Sequence, residues 1–572
     1  MKSRSAWLLL GLLLPLGAAP AREASAAQQP PPPAPFAAPG PGRVAVASAH
    51  RLATEAGLAV LRRGGNAFDA AVAVAATLGL VEPQSSGIGG GFFMLIHRAS
   101  DGREVMVDAR EIAPSAVTEA MYRNADGTLN SHASLEGPTS AGIPGAPAGL
   151  VWVNRKYGQL KLAEDLAPVL RIAREGFQPD ARFLKELAER KALIARYPGS
   201  AALLLPGGDV PAAGWTLRNP DYAATLERLA REGEAGFYRG PLAEKLVSAM
   251  RAAGGNWTRA DLAAYRVRER APIRFDYRGY RVVTAPPPSS GGVAMAEIFN
   301  ILRPYDLSEM PRVARDHVII EAMRRAFRDH NDYLGDPDFV QMPLAMLLSP
   351  YYADGLRASI LPDQATPSSQ LPGALVRDPG RHTTHFSIVD KVGNMVSCTS
   401  TVNDLFGSGF VVPGTGFVMN DEMDDFALVP GQPNVYGLLG SQANAPAPHK
   451  RMLSSMTPSF VIGPDRTLVL GSPGGSTIIT QVFEGILAFM HGDSAAQIVA
   501  KPRYHMQYLP DVVSVEPDTF DPQVTGQLEK MGYTLKLRQP WGFMNAVIWS
   551  RKANRLEAAS DPRGTSGLGK VQ

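Results

Sequence analysis

Two adjacent threonines, Thr383 and Thr384, open an apolar segment in which residues 382–390 read HTTHFSIVD. A threonine hydroxyl is a weak nucleophile unless a base lies beside it, and a free α-amino group that titrates near neutral pH can be that base. If the chain were cut between His382 and Thr383, Thr383 would carry both groups. The segment therefore predicts a nucleophile that cleavage of a precursor releases.

A glycine-rich segment, GSPGGS at 471–476, lies between a short apolar stretch that ends at Leu470 and the apolar run 477–490. This order predicts a strand, a turn and a helix. Such a junction directs unpaired backbone N–H groups outward at the positive end of the helix, which suits an oxyanion hole. A tight turn without a chemical role is the alternative, and Thr383 favours the functional interpretation.

Other candidate motifs indicate structure more than chemistry. The sequence has no GxSxG, SxxK, HExxH or P-loop motif. The glycines at 87–91 follow a predicted helix and open a strand, the reverse of a phosphate loop, so close backbone packing is favoured. On a strand, His382 and His385 would point to opposite faces, which argues against a metal site. A group of four acids could bind a cation, but a solvated loop is the favoured interpretation. These acids are Asp329, Asp332, Asp336 and Asp338.

The composition of the 572 residues, 45% hydrophobic and 19% charged with a net charge of +3, indicates a globular protein. No run of basic residues is interleaved with aromatics, so we expect no nucleic-acid partner. The single cysteine, Cys398, cannot form an internal disulfide. We interpret it as a small buried hydrophobic residue, with a reactive thiol as the less favoured alternative.

The first 27 residues have the features of a secretory signal peptide: basic residues, an apolar run at 6–16 and a small-residue cleavage site at 24–26. No segment approaches the ~20 apolar residues that span a bilayer. Residues 28–42 form a predicted Pro-rich linker. We expect a secreted, periplasmic protein with no membrane span after signal removal, and an uncleaved membrane anchor is the alternative.

Four predicted β-hairpins and a buried helix would position the reactive residues. Asn66 can cap a helix over 67–81 with Asp69 at its third position, and this helix is apolar nearly all round. Hairpins imply antiparallel sheets and buried helices imply outer layers, so an α/β fold with an αββα sandwich is expected. The hairpins pair 92–97 with 104–108, 384–389 with 395–401, 459–462 with 467–470, and 546–550 with 556–560.

From about Val44 to Arg563 the chain resembles the γ-glutamyltransferases (γ-glutamyl transpeptidases) of the N-terminal nucleophile hydrolase superfamily. The resemblance implies the four-layer αββα fold of that superfamily, with antiparallel sheets, and a precursor that cleaves itself between His382 and Thr383. Residues 43–382 would be a large subunit and 383–572 a small catalytic subunit of one fold. The motifs that carry it are TTH at 383–385, NDEMDDF at 420–426, LSSM at 453–456, GSPGGS at 471–476 and PPPSSGG at 286–292.

The same resemblance implies roles for the reacting groups. Thr383 would be the nucleophile and its own amino group the base, with Thr401 orienting it. The backbone N–H groups of Gly474 and Gly475 would form the oxyanion hole.

By the same likeness, the substrate would be held at both charged ends of its glutamyl group. Arg110, Ser454 and Ser455 would bind the α-carboxylate. The α-amino group would be bound by Asn403, Glu422 and Asp425, although an isolated DEMDD segment is more typical of a surface loop. Residues 430–451 would form a lid over the pocket, with Tyr436 as its gating aromatic.

The implied activity is that of a self-processing γ-glutamyltransferase and glutathione hydrolase without a metal or organic cofactor. It would move the γ-glutamyl group of glutathione and γ-glutamyl amides to water, amino acids or dipeptides through a γ-glutamyl-threonine ester. One alternative is a cephalosporin (glutaryl) acylase-type amidase on the same fold, which the acids disfavour because a glutaryl chain lacks the α-ammonium. The other is a noncatalytic periplasmic binding protein that kept the pocket and lost self-cleavage.

Overall fold

The computed structural model describes residues 40–371, 383–429, 432–435, 437–438 and 440–572. The predicted signal peptide, most of the predicted linker, His382 and Tyr436 lie outside these ranges. Within them, no helix is both long enough and apolar enough to cross a membrane.

The described strands form two large sheets and one small sheet. In chain order they are β1 Ala45–Ser48, β2 Gly91–Arg98, β3 Arg103–Ala109, β4 Arg268–Arg270, β5 Ile273–Tyr277, β6 Tyr280–Thr284, β7 Thr384–Val389, β8 Met395–Thr401, β9 Ser459–Ile462, β10 Arg466–Gly471, β11 Tyr504–His505, β12 Val513–Val515, β13 Leu535–Leu537, β14 Asn545–Ser550, β15 Arg555–Ser560 and β16 Leu568–Val571.

The described α-helices lie mostly before residue 360. In chain order they are α1 Arg51–Arg62, α2 Ala67–Val81, α3 Ser131–Leu135, α4 Ala146–Tyr157, α5 Leu162–Glu175, α6 Ala181–Ala195, α7 Pro198–Leu204, α8 Pro220–Glu232, α9 Ala235–Tyr238, α10 Gly240–Ala252, α11 Arg259–Ala264, α12 Gly291–Leu302, α13 Arg312–Tyr333, α14 Leu344–Leu347, α15 Pro350–Ala358, α16 Thr477–His491, α17 Ala495–Ala500 and α18 Pro522–Lys530.

The two large sheets are antiparallel throughout. The first has the order β16-β1-β7-β8-β2-β3-β4 and the second β15-β14-β10-β9-β6-β5. All four predicted hairpins are confirmed, as β2–β3, β7–β8, β9–β10 and β14–β15. Each sheet combines strands that precede residue 383 with strands that follow it. The two predicted subunits therefore share both sheets.

Alternating side chains of the first sheet face different layers, as strand geometry requires. On β2, Phe93 and Leu95 pack with residues of the second sheet, such as Val469. Their neighbours Phe92 and Met94 pack with the helices on the other side, including α2, α4, α5 and α8. Helices α12 and α16 cover the outer face of the second sheet, and α13 packs against α12. The αββα sandwich predicted from the sequence is confirmed.

Helix α2 begins where the sequence predicted. The Asn66 side chain accepts hydrogen bonds from the N–H groups of Phe68 and Asp69, and Asp69 accepts one from the Asn66 N–H at 2.8 Å. All but one residue of the helix are buried, as its apolar circumference predicted. Cys398 on β8 is also buried, and burial raises the pKa of its thiol well above the ordinary value, which confirms the hydrophobic interpretation.

The glycines at 87–91 make the close backbone contacts predicted for them. A Cβ on Gly89 would lie 2.0 Å from the carbonyl oxygen of Val418, and one on Gly90 would lie 2.0 Å from that of Thr401. These glycines let the backbone before β2 pass directly beside the end of β8. A side chain at Gly90 would displace Thr401, the residue expected to orient the nucleophile.

We expect Gly90→Ala to destabilise the protein by about 1–3 kcal/mol or more, because the new methyl group meets a fixed carbonyl oxygen. The matched control is Gly355→Ala on the exposed side of α15, where a Cβ meets nothing within 4 Å. That change should be neutral or stabilising by about 0.5–1 kcal/mol. Urea midpoints of the two variants compare them, and equal midpoints would contradict the prediction.

Candidate active site

Thr383 lies immediately before β7 and is buried. The antiparallel register pairs Thr384 with Ser400, so Thr383 stands opposite Thr401 at the end of β8. The Thr383 hydroxyl donates to Thr401 Oγ1 at 3.2 Å, and the Asn403 N–H donates to the same oxygen at 2.8 Å. Thr383 also has a φ of +152°, a backbone conformation that residues with a side chain rarely adopt.

Thr384 points away from Thr383, as alternation along a strand requires. Its hydroxyl donates to the Glu82 carboxylate at 3.0 Å, and Glu82 lies 3.4 Å from the Arg182 guanidinium. The next residue, His385, is buried, and burial lowers its pKa to about 3. Its ring nitrogens contact Thr399 Oγ1 at 2.9 Å and Ser387 Oγ at 3.1 Å. Both side chains therefore anchor β7.

Arg110, just after β3, is fully buried among acids. Its Nη1 lies 2.6 Å from Glu422 Oε2, and its Nη2 forms an ion pair with Asp425. Nη2 also donates to the Leu453 carbonyl oxygen at 3.1 Å. Burial alone would lower the pKa of Arg110, but the negative charges of Glu422 and Asp425 more than offset it and the pKa is raised. The guanidinium stays charged.

Acids outnumber cations around Arg110. Burial raises the pKa of Glu422 well above its usual range, against the opposing effect of Arg110, and it raises that of Glu111 to about 7. Glu111 lies 3.7 Å from Arg110 Nη1. The Glu422–Arg110 contact is poorly aligned, so neither Glu422 nor Glu111 has a hydrogen bond on its carboxylate oxygens within the described ranges. The site can therefore accept a ligand cation with several N–H donors.

The serine pair is positioned by the SSGG part of the PPPSSGG motif. Ser290 donates to the Ser454 carbonyl oxygen from both its N–H, at 2.8 Å, and its hydroxyl, at 2.9 Å. The Ser454 N–H donates to the carbonyl oxygen of Pro288 at 2.8 Å. Ser454 and Ser455 are both largely buried. Two motifs that lie 164 residues apart in the sequence thus meet in one structural unit.

The predicted strand, turn and helix at 471–476 are confirmed, with β10 leading into α16. Gly474 and Gly475 have φ values of +133° and +56°, which favour glycine. Their N–H groups donate to no residue that the structure describes. They remain available for an oxyanion.

One small cavity of about 30 Å³ joins most of these groups. Room for little more than a water molecule means that an amino-acid-sized ligand requires side chains to move. Gly474 is the one predicted residue of the described set that does not line it. The predicted residues that line it are Arg110, Thr383, Thr401, Asn403, Glu422, Asp425, Ser454, Ser455 and Gly475.

Two further residues of the cavity wall were missed by the sequence analysis. Asn444 donates to the Asp425 carbonyl oxygen at 2.7 Å and accepts from the Leu453 N–H at 3.0 Å. It therefore connects residues 420–426, the acidic segment, with residues 453–456, the serine segment. His330 is buried, and burial lowers its pKa to about 4. Its Nε2 has no hydrogen-bond partner in the described part of the chain. Asn444 lies within the predicted lid at 430–451, which the sequence analysis did not resolve to this residue, and His330 belongs to no recognisable motif.

The described part of the predicted lid is attached to the acidic segment. The Val435 N–H donates to the Asp424 carboxylate at 2.7 Å, and the Ser134 hydroxyl donates to the other oxygen of Asp424 at 2.7 Å. Asn434 contacts Asp425 Oδ1 at 3.4 Å. The gating role predicted for Tyr436 falls outside the described residues.

The predicted solvated acidic loop is wrong for three of its four members, because Asp329 and Asp332 lie on α13 and Asp336 is buried. Asp329 and Asp336 are buried, while Asp332 and Asp338 are exposed. Asp336 accepts the Arg451 N–H at 2.8 Å, and Tyr352 donates to Asp329 at 2.8 Å. Both buried acids therefore accept hydrogen bonds from neighbouring residues and hold those residues in place. Among the described residues, no cluster of histidine, cysteine or acidic side chains could hold a metal ion.

Comparison with known proteins agrees with this geometry. Residues 53–570 match the family model for gamma-glutamyltranspeptidase. The chain is 41% identical over 542 residues to a glutathione hydrolase proenzyme of Pseudomonas sp. (strain A14), covering 91% of this chain and 93% of that one.

Solved structures show the same likeness. A cephalosporin acylase from Bacillus halodurans has a TM-score of 0.81 at 29% identity, covering 96% of this chain and 99% of its own. A gamma-glutamyltranspeptidase chain from Helicobacter pylori has a TM-score of 0.55 at 37% identity, covering 56% of this chain and 93% of its own.

We expect Arg110→Met to destabilise the protein by about 3–5 kcal/mol, because Glu422 and Asp425 would lose the cation that compensates their burial. Arg171→Met is the matched control. Arg171 pairs with Glu175 on the exposed face of α5, and such pairs contribute about 0.3–0.5 kcal/mol. Urea denaturation measures both, and similar midpoints for the two variants would refute the prediction.

Proposed function

Because the chain belongs to the gamma-glutamyltranspeptidase family, we propose that it is a self-processing γ-glutamyltransferase and glutathione hydrolase. It moves the γ-glutamyl group of glutathione and related amides to water, amino acids or dipeptides. The observation that carries the proposal is one cavity that contains a threonine pair, a buried arginine and an excess of carboxylates. We also propose that residues 1–27 direct the protein to the periplasm.

Processing hydrolyses the peptide bond between His382 and Thr383. Residues 43–382 then belong to the large fragment, which ends at His382, and residues 383–572 form the small one. The product is a free α-amino group on the residue that carries the reactive hydroxyl. The unusual φ of Thr383 supports cleavage at this bond, since such strain is concentrated at functional positions. Thr401 Oγ1 accepts a hydrogen bond from the Thr383 hydroxyl. We expect this bond to hold Thr383 Oγ1 in place both before and after cleavage.

In the acylation step the Thr383 amino group takes the hydroxyl proton while Oγ1 attacks the γ-carbonyl carbon. The carbonyl oxygen becomes an oxyanion, which the N–H groups of Gly474 and Gly475 stabilise, at roughly 3 kcal/mol per donor. The C–N bond then breaks, and the leaving amine takes the proton from the Thr383 amino group. Water or an acceptor amine attacks the resulting ester through the same sequence of steps.

Substrate recognition exchanges one set of charge pairs for another. Without substrate, Arg110 is neutralised by Glu422 and Asp425. A bound α-carboxylate would pair with Arg110 and the hydroxyls of Ser454 and Ser455, while the α-ammonium would pair with the released acids and Asn403. A zwitterion therefore leaves the net charge of the buried site unchanged. A ligand with a carboxylate alone would leave the acids uncompensated.

The second candidate is a glutaryl amidase, which the structural likeness to a cephalosporin acylase favours. A glutaryl chain supplies a carboxylate for Arg110 but no ammonium. Binding it would therefore leave Glu422 and Asp425 buried without a cation, which is costly. The acid excess makes the γ-glutamyl group the better substrate.

Thr383→Ala should give a single uncleaved chain with activity reduced at least about 10³-fold, because the nucleophile is absent. Intact mass spectrometry and release of p-nitroaniline from γ-glutamyl p-nitroanilide measure the two effects. Thr384→Val is the control, since the Thr384 hydroxyl contacts Glu82 outside the cavity, and this variant should still be cleaved. Two fragments and normal turnover in Thr383→Ala would contradict the proposal.

The choice between the two substrates is tested with γ-glutamyl and glutaryl p-nitroanilide. We expect the wild type to prefer the γ-glutamyl compound in kcat/KM, and Asp425→Asn to lose about 10²-fold on that compound only. Asp354→Asn, an exposed acid on α15, is the matched control and should change neither value. A wild type that prefers the glutaryl compound would establish the acylase alternative instead.

A further inference from the structure

We propose that Thr477 and Gln481, on the first two turns of α16, are positioning residues that orient the N–H groups of Gly474 and Gly475 toward the reacting carbonyl. We call the two side chains the turn clamp. The inference deepens the proposed function, because it rests on an oxyanion role for the two glycines.

The turn clamp binds two successive carbonyl oxygens of the glycine-rich turn. Gln481 Nε2 donates to the Pro473 carbonyl oxygen at 2.9 Å. Thr477 Oγ1 donates to the Gly474 carbonyl oxygen at 2.7 Å. Gln481 Nε2 also donates to Thr477 Oγ1 at 2.8 Å, which joins the two side chains. Both carbonyl groups are thereby directed toward α16.

Peptide geometry transmits this direction to the N–H groups. A trans peptide unit is planar, and its C=O and N–H bonds point in opposite directions. The Pro473 carbonyl shares its peptide unit with the Gly474 N–H, and the Gly474 carbonyl shares one with the Gly475 N–H. Binding the two carbonyls to α16 therefore turns both N–H groups away from the helix. Gly475 lines the cavity that contains Thr383.

The orientation of the Gln481 amide is determined by its neighbours. Its Oε1 faces Arg503 Nη1 at 3.1 Å, and arginine can only donate hydrogen bonds. The Ser472 hydroxyl donates to the same oxygen at 2.6 Å. Nε2 must therefore face Pro473. Arg503 is itself held by an ion pair with Asp561 and by a bond to the Val499 carbonyl oxygen at 2.9 Å.

Helix α16 alone would not orient both peptide units. Among backbone groups, the Thr477 N–H reaches the Gly474 oxygen at 3.2 Å and the Ile478 N–H reaches that of Gly475 at 3.1 Å. The Pro473 oxygen receives no backbone bond from any described residue. Two side chains donate to it: Gln481 Nε2 at 2.9 Å and, more weakly, the Ser472 hydroxyl at 3.3 Å, whose shorter bond of 2.6 Å is to Gln481 Oε1. Gln481 is therefore the main determinant of the direction of this carbonyl and of the Gly474 N–H.

The clamp also accounts for glycine at position 474. A Cβ there would lie 2.5 Å from Thr477 Oγ1 and 2.7 Å from Gln481 Nε2, the two donor atoms of the clamp. Any side chain would push them off their carbonyl groups. Glycine at this position therefore serves both the positive φ of the turn and the approach of the clamp.

The test uses four variants of the full chain with γ-glutamyl p-nitroanilide as donor, with rates expressed per cleaved site. Thr477→Val and Gln481→Met remove the donors with little change in volume. Each should lower kcat about 10- to 100-fold, because losing one oxyanion donor outright costs about 10²–10³-fold and a misdirected donor costs less. KM should change less than about threefold, since neither Thr477 nor Gln481 lines the cavity.

Two conservative variants separate orientation from packing. Thr477→Ser keeps the hydroxyl and should restore most of kcat. Gln481→Glu keeps an oxygen that accepts from Ser472 and Arg503 but loses the N–H donor to Pro473. Its kcat should therefore match that of Gln481→Met. If Gln481→Met does not fold, Gln481→Glu serves as the test variant. A glutamate analogue with a boronic acid in place of the γ-carboxyl forms a tetrahedral adduct, and its affinity should fall by the same factor as kcat.

Several results would overturn the clamp. Wild-type kcat in both Thr477→Val and Gln481→Met would do so, as would an equal loss in Thr477→Ser and Thr477→Val. A loss confined to KM would likewise assign the residues to substrate binding instead. These results require an active wild type, so they are distinct from failure of the proposed function. A wild type that releases no p-nitroaniline would refute both proposals.

Discussion

The buried guanidinium of Arg110 is the interaction on which the site depends. A charge without solvent must be compensated nearby, and this requirement brings together segments that are far apart in the chain. Arg110 leaves the end of β3, pairs with Glu422 and Asp425, and donates to the backbone at Leu453. The acids and the serine segment are therefore fixed relative to the sheet by one side chain. Under the proposed function, the same requirement would favour a ligand that carries both charges.

The register of the first sheet is the second constraint, because it decides which threonine lines the cavity. Strand β7 lies between β1 and β8, and residues along it alternate between the two faces. With Thr384 opposite Ser400, Thr383 meets Thr401 and Thr384 meets Glu82. A shift by one residue would exchange the two hydroxyls. The hairpin to β8 and the pairing with β1 prevent that shift.

Local patterns in the sequence were enough to predict much of the fold. The four hairpins, the Asn66 cap and the strand-turn-helix at 471–476 depend on neighbouring residues, and all are present. The site residues came from a resemblance of motifs, and the structure brings those it describes to one cavity, except Gly474. What could not be predicted depends on contacts between distant segments. One example is the buried Asp336, whose carboxylate accepts a hydrogen bond from the Arg451 N–H. Another is Asn444, which forms hydrogen bonds with both Asp425 and Leu453.

Shared sheets would also keep the two fragments together after the proposed cut before residue 383. Strand β1 from the first fragment pairs with β7 and β16 from the second, and β8 from the second pairs with β2 from the first. Separation would expose apolar faces of both sheets and break several ladders of hydrogen bonds. The proposed cut lies just before β7, so it would remove no pairing within the sheet. A new N-terminus at the start of an inner strand therefore gains a free amine while the surrounding strands keep its position.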